Sequence, residues 1–176
     1  QKDLSPYSAT GVAVSIASNR ISFVLGLQGP SLTIDTACSS AIVALDSACQ
    51  SLYHANCDQA LVASVSLLLT AQGFGATCAA KMLSPNGRCA TFSNKADGYA
   101  RGEGCGAVVL TRKPDTQPVY AYIKGTAIIQ DGKTANLTSP NGPSQEAVLT
   151  KALNVADLTP QDICYHEAHG TGTALG

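Results

Sequence analysis

Cys38 is the side chain in this 176-residue sequence best placed for covalent chemistry. It stands in Asp35-Thr36-Ala37-Cys38-Ser39-Ser40. Residues 31–35 before it alternate like a short strand. After it Ile42, Leu45, Cys49 and Leu52 recur at helical spacing, which predicts a helix. The thiol therefore lies where a strand turns into a helix. A cysteine at a helix N-terminus faces free N–H groups and the positive end of the helix dipole, both of which favour thiolate over thiol. Ala37, Ser39, Ser40 and Ala41 are small and leave room for a substrate. The Cys38 N–H could stabilise an oxygen that turns negative when a thioester is attacked. A small buried cysteine packing a tight turn explains the local pattern equally well.

The second constellation is His166-Glu167-Ala168-His169-Gly170-Thr171-Gly172-Thr173. A histidine leaving a strand into a loop of glycines and hydroxyls suits acid–base or hydrogen-bonding work; a structural histidine is the alternative. On an extended segment His166 and His169 face opposite sides, and there is no H-E-x-x-H, so a metal site is not expected. Gly102-x-Gly104-x-Gly106 precedes a strand rather than following one, which removes the dinucleotide-binding reading. No G-x-S-x-G elbow is present, which removes the α/β-hydrolase reading.

The elements that must position these groups alternate. Residues 9–25 predict one or two buried helices ending at Gly26, and Gly29-Pro30 predicts a turn. The apolar runs at 60–69 and 107–110 predict buried strands, with irregular chain at 71–99 around the turn Ser84-Pro85-Asn86-Gly87. The polar stretch 115–118 is the best candidate for a connection. Beyond it come a strand at 119–129 and a helix at 143–156 with Pro143 in its first turn. A capping box at Thr159-Pro160-Gln161-Asp162 and a strand at 163–168 that delivers His169 complete the pattern. Such alternation predicts an α/β fold.

Composition narrows the setting. Hydrophobic residues make up 45% and charged residues 13%, with a mean hydropathy of +0.10. So little charge suits a chain covered on more than one side, in a layered core or at a subunit interface. A net charge of −1 gives no electrostatic case for nucleic acid or an anionic membrane. Apolar runs such as Leu67-Leu68-Leu69 fall far short of the roughly 18–20 residues of a membrane span. Seven cysteines, an odd number without a C-x-x-C pair, favour neither a disulfide framework nor zinc. Reduced thiols in an intracellular, cytoplasmic protein are expected. No secretory signal is read at Gln1, and both ends read as cuts within a longer protein.

Together these segments resemble the ketosynthase (β-ketoacyl synthase) domain of modular polyketide synthases. Gly29-Pro-Ser-Leu-Thr-Ile-Asp-Thr-Ala-Cys-Ser-Ser40 resembles the family's nucleophile segment. Met82-Leu-Ser-Pro-Asn-Gly-Arg-Cys89 and Ala96-Asp-Gly-Tyr-Ala-Arg-Gly-Glu-Gly104 are similar to its central motifs. Pro140-Asn-Gly-Pro-Ser-Gln145 and Glu167-Ala-His-Gly-Thr-Gly-Thr173 follow in the family's order. Thr91 and Ser93 stand where the family often has Ala and Asp, and Ile129 where Asn is frequent.

The resemblance implies a thiolase-like fold of αβαβα layers, incomplete here. Residues 1–115 would be the later part of its first half and 116–176 the start of its second. It implies a decarboxylative Claisen condensation in polyketide biosynthesis. Cys38 would carry the acyl chain and His169 would stabilise the enolate of a malonyl-type extender. Thr171 and Thr173 would touch the phosphopantetheine arm of a partner acyl carrier protein. It implies a homodimer, no bound cofactor or metal, and a second histidine and a lysine beyond Gly176. A ketosynthase of fatty-acid synthesis and a thiolase-like acyltransferase are the alternative readings.

Overall fold

The computed structural model describes residues 4–113 and 118–174. Of the expected connection 115–118, residues 115–117 lie outside the described residues. The chain forms two compact units, Gln1–Ser64 with Ala107–Tyr120 and Val65–Gly106 with Ala121–Gly176.

The first unit contains the helices predicted before residue 60. Helices α1 (Ser8–Val12) and α2 (Ile16–Leu25) come first, and Gly26 closes α2 in the left-handed conformation at φ 68°. Leu27 N–H then returns to the Ser22 carbonyl at 2.9 Å, the usual way a glycine ends a helix. The segment expected as a strand at 31–35 is not one. It is tied to α2 through side chains: Ser18 N–H donates to Thr33 Oγ1 at 3.2 Å, and Ser22 Oγ donates to Ser31 Oγ at 3.0 Å. A strand exists only where a neighbour completes its backbone ladder.

Helix α3 (Ser40–Tyr53) realises the helical spacing of Ile42, Leu45, Cys49 and Leu52. Its C-terminal carbonyls, the negative end of its dipole, receive the Arg112 guanidinium: Nη1 donates to Leu52 O at 3.1 Å and to Tyr53 O at 3.4 Å. Strands β1 (Gln59–Ser66) and β2 (Gly104–Thr111) follow the two Val- and Leu-rich runs and pair with each other in a two-stranded sheet.

In the second unit, helix α4 (Ala71–Ala79) occupies a stretch expected to be irregular. Gly73 and Gly75 inside it each cost about 1 kcal/mol of helix propensity, which hid it. The turn at Ser84 is present, with Gly87 N–H on the Ser84 carbonyl at 3.0 Å. Helix α5 (Gly142–Ala156) has Pro143 in its first turn and Asn141 as its cap, accepting from Ser144 N–H at 3.4 Å. Asn141 is itself fixed by Asp131, whose carboxylate accepts its N–H and whose carbonyl accepts from its Nδ2. Gly125 lies so close to α5 that a Cβ there would meet Ala152 O at 2.8 Å. The capping box also forms: the Asp162 carboxylate accepts Thr159 N–H at 2.8 Å and Thr159 Oγ1–H at 2.7 Å. These bonds, the side-chain one foremost, hold the Asp162 carboxyl below the usual carboxylate range. The strands expected at 119–129 and 163–168 form no ladder.

The helices and strands expected to be buried are mostly exposed. Among the described residues the only buried hydrophobic side chains are Leu52 on α3 and Val62 on β1, 5% and 8% exposed. On α2, Phe23 is 87% exposed, and Val108 and Val109 on β2 are exposed as well. Burial of apolar area is the main stabilising term in folding, at about 25 cal/mol per Å², and two buried side chains leave most of it unused. We therefore expect residues 1–176, expressed alone, to aggregate through their apolar faces and unpaired strand edges. Sedimentation tests this; a stable, soluble monomer would contradict it. No helix among the described residues is long and apolar enough to cross a membrane.

Candidate active site

Cys38 lies in the 3₁₀ turn Ala37–Ser39 that opens directly into α3, and its side chain is exposed. The turn is strained at one residue. Ala37 has φ 57°, a left-handed conformation that costs a non-glycine residue about 1–2 kcal/mol. Side chains on both flanks hold it there. Asp35 Oδ1 accepts Ala37 N–H at 3.0 Å, and Ser40 Oγ accepts Thr36 N–H at 2.9 Å while donating to the Ala37 carbonyl at 2.7 Å. Ser39 Oγ donates to the Thr36 carbonyl at 2.9 Å. Backbone strain held by its surroundings clusters at functional sites, where it fixes a reactive group. Here it fixes the backbone next to an exposed thiol flanked by small residues. Sequence reasoning missed Asp35 as part of this device; an aspartate two residues before a tight turn was the available signal.

His169, Thr171 and Thr173 share one loop in the second unit, whereas Cys38 belongs to the first. His169 is exposed and the two threonines are partly buried. Gly170 and Gly172 both take left-handed φ, 48° and 74°, which glycine adopts freely. The loop is gripped from the segment 90–98. Thr91 Oγ1 donates to the Gly170 carbonyl, and Gly98 N–H donates to the Gly172 carbonyl at 3.0 Å. The approach is close enough that a Cβ on Gly172 would lie 3.2 Å from the Ala90 backbone. Gly98 is in turn pressed against Leu83 and Ser84, beside the backbone bridge between Leu83 and Tyr99. Sequence reasoning picked out the motifs at 82–89 and 96–104 without seeing that the chain around them grips the histidine loop.

All seven cysteines are free thiols. Cys78, Cys89, Cys105 and Cys164 are exposed within this chain, so burial alone does not set Cys38 apart. Cys49 is half-buried on α3; burial, with the Asp46 carboxylate adding to it, pushes its thiol up. Among the described residues no three His, Cys, Asp or Glu side chains gather as a metal site would require.

Comparison with known proteins supplies the context for this geometry. The chain is 48% identical to one of the phenolphthiocerol/phthiocerol polyketide synthase proteins of Mycobacterium tuberculosis, over 99% of its own length and 8% of that protein. It is 46% identical to another protein of the same synthase in that species, over 99% of its own length and 12% of that protein. In solved structures it superposes on the ketosynthase from module 6 of the bacillaene synthase of Bacillus subtilis 168. The TM-score is 0.92 at 41% identity, covering 98% of this chain and 32% of that one. It also superposes on an oxazolomycin ketosynthase domain of Streptomyces albus JA3453, with a TM-score of 0.91 at 35% identity, covering 93% and 30%. The chain thus spans about a third of those ketosynthases and has their thiolase-like α/β fold over that stretch. The family models named Beta-ketoacyl synthase, N-terminal domain, and Beta-ketoacyl synthase, C-terminal domain, match residues 1–116 and 120–176. With sequence, backbone and both family models in agreement along its length, the chain belongs to the β-ketoacyl synthase family.

Proposed function

We propose that these residues are part of a polyketide ketosynthase that joins an acyl chain to a malonyl-type extender by decarboxylative Claisen condensation. The single observation that carries the reading is Cys38, an exposed thiol beside a backbone strained and pinned at Ala37, at the mouth of α3. The Cys38 sulfur attacks the thioester of an acyl chain delivered on a carrier protein. A carbon–sulfur bond forms, and the carrier thiol leaves with the proton. A malonyl group on the phosphopantetheine arm of an acyl carrier protein then loses carbon dioxide, and the electron pair of the broken bond passes into an enolate. The enolate carbon attacks the Cys38 thioester, a carbon–carbon bond forms, and the Cys38 sulfur departs to be reprotonated.

His169 donates a hydrogen bond to the malonyl thioester oxygen as it becomes negative, and Thr171 and Thr173 hold the pantetheine arm. In this reading residues 1–115 and 116–176 are parts of the two halves of one ketosynthase, and two complete ketosynthases pair as a homodimer in the cytoplasm. Phosphopantetheine arrives on the carrier protein rather than residing in the ketosynthase.

An electrophilic epoxide that mimics the acyl chain tests the nucleophile. In the complete ketosynthase carrying these residues, peptide mapping should find rapid labelling at Cys38 alone of the seven cysteines. Cys49 should lag, because its half-burial and raised thiol leave little thiolate. Label on Cys49 or Cys105 would sink the assignment.

A further inference from the structure

We propose that Thr91 is a positioning residue for the loop 169–173, setting where His169, Thr171 and Thr173 stand. The inference rests on the function proposed above for that loop. Two glycines in left-handed backbone make the loop pliable, since glycine reaches many conformations at little cost. Two non-local hydrogen bonds remove that freedom. The Thr91 hydroxyl donates to the Gly170 carbonyl and the Gly98 N–H donates to the Gly172 carbonyl, so the backbone on either side of Thr171 is anchored.

Thr91 also acts by shape. A Cβ on Gly170 would lie 2.6 Å from the Thr91 methyl, so that methyl closes off the space on one side of the loop. Thr91 is itself held in a tight turn closed by Ser93 N–H on the Ala90 carbonyl at 3.1 Å. Phe92 in this turn is left-handed at φ 58°, and its side chain is 90% exposed. A bulky residue rarely adopts that backbone. A β-branched side chain has few χ1 rotamers, so a threonine on a fixed turn holds its hydroxyl in one place. The hydroxyl sits on the loop's backbone rather than on its functional side chains, which makes it a positioning group.

The test uses Thr91→Val, which keeps the shape and loses the donor, and Thr91→Ser, which keeps the donor, both in the complete ketosynthase. Acyl loading of Cys38 is followed by intact mass, and condensation by kcat and KM for the malonyl carrier. Thr91→Val should load Cys38 normally but lose about tenfold in kcat/KM for condensation, because small misplacements of catalytic groups are costly. Thr91→Ser should restore most of that loss. Normal condensation by Thr91→Val would overturn the proposal. So would equal losses in Val and Ser, or a matching loss of acyl loading. A His169→Ala enzyme that condenses normally would overturn the reading of the loop and the positioning role together. An inactive His169→Ala beside a normal Thr91→Val would overturn the positioning role alone.

Discussion

Cys38→Gln, introduced in the complete ketosynthase, should abolish acyl loading and condensation while malonyl decarboxylation persists. Covalent catalysis needs the sulfur, and removing a nucleophile typically leaves less than about one-thousandth of the rate. Decarboxylation does not need it, because the carbon dioxide leaves from the malonyl group and, in the proposed mechanism, the enolate is stabilised at His169. The substitution should not disturb the fold. The bonds that pin the turn run through Asp35, Thr36, Ser39 and Ser40, and none of them uses the Cys38 sulfur. The side chain is exposed among small neighbours, so a glutamine has room. Carbon dioxide release and β-ketoacyl product are measured side by side. Equal loss of both would show that the two steps are not separable in the way proposed.

Gly98→Ala should cost the enzyme about 4 kcal/mol of stability and most of its condensation activity. A Cβ there would lie 2.4 Å from both Leu83 C and Ser84 N, and 2.8 Å from Leu83 O. All three are backbone atoms, in chain already fixed by Ser84 N–H on the Tyr99 carbonyl at 3.0 Å and Tyr99 N–H on the Met82 carbonyl at 3.1 Å. The φ of 141° adds strain of its own for any L side chain. Overpacking typically costs about 1–3 kcal/mol and an unsuitable backbone about 1–3 more. The same glycine donates to the Gly172 carbonyl, so moving it also moves the loop of His169. Gly170→Ala should be milder, since its tightest contact is one side-chain methyl, that of Thr91, rather than backbone, and relieving it displaces the Thr91 hydroxyl rather than the chain. Thermal melts of the two variants check the ranking. A Gly98→Ala enzyme melting close to the unmodified one would contradict the packing described here.

Much of the local structure was legible in the sequence, for local reasons. The spacing of Ile42, Leu45, Cys49 and Leu52 describes one face of α3, and Cys38 lies in the turn that opens into it. Pro143 and the pair Thr159 and Asp162 are end signals that act within three residues of chain. The resemblance in the segments around Cys38 and His169 pointed to the family that the comparisons established.

What only the tertiary structure decided depends on residues far apart in sequence. Periodicity at 31–35, 119–129 and 163–168 describes extended chain, but a ladder needs a neighbouring strand, and none of these segments has one among the described residues. The grip of Thr91 on Gly170 spans 79 positions, and that of Gly98 on Gly172 joins two loops that no pattern links. Sequence by itself singled out the residues proposed for the chemistry, because thiol, imidazole and hydroxyl are properties of side chains. How the histidine loop is held was decided by long-range bonds to its backbone carbonyls, one from a side chain and one from a backbone N–H, which no local pattern announces.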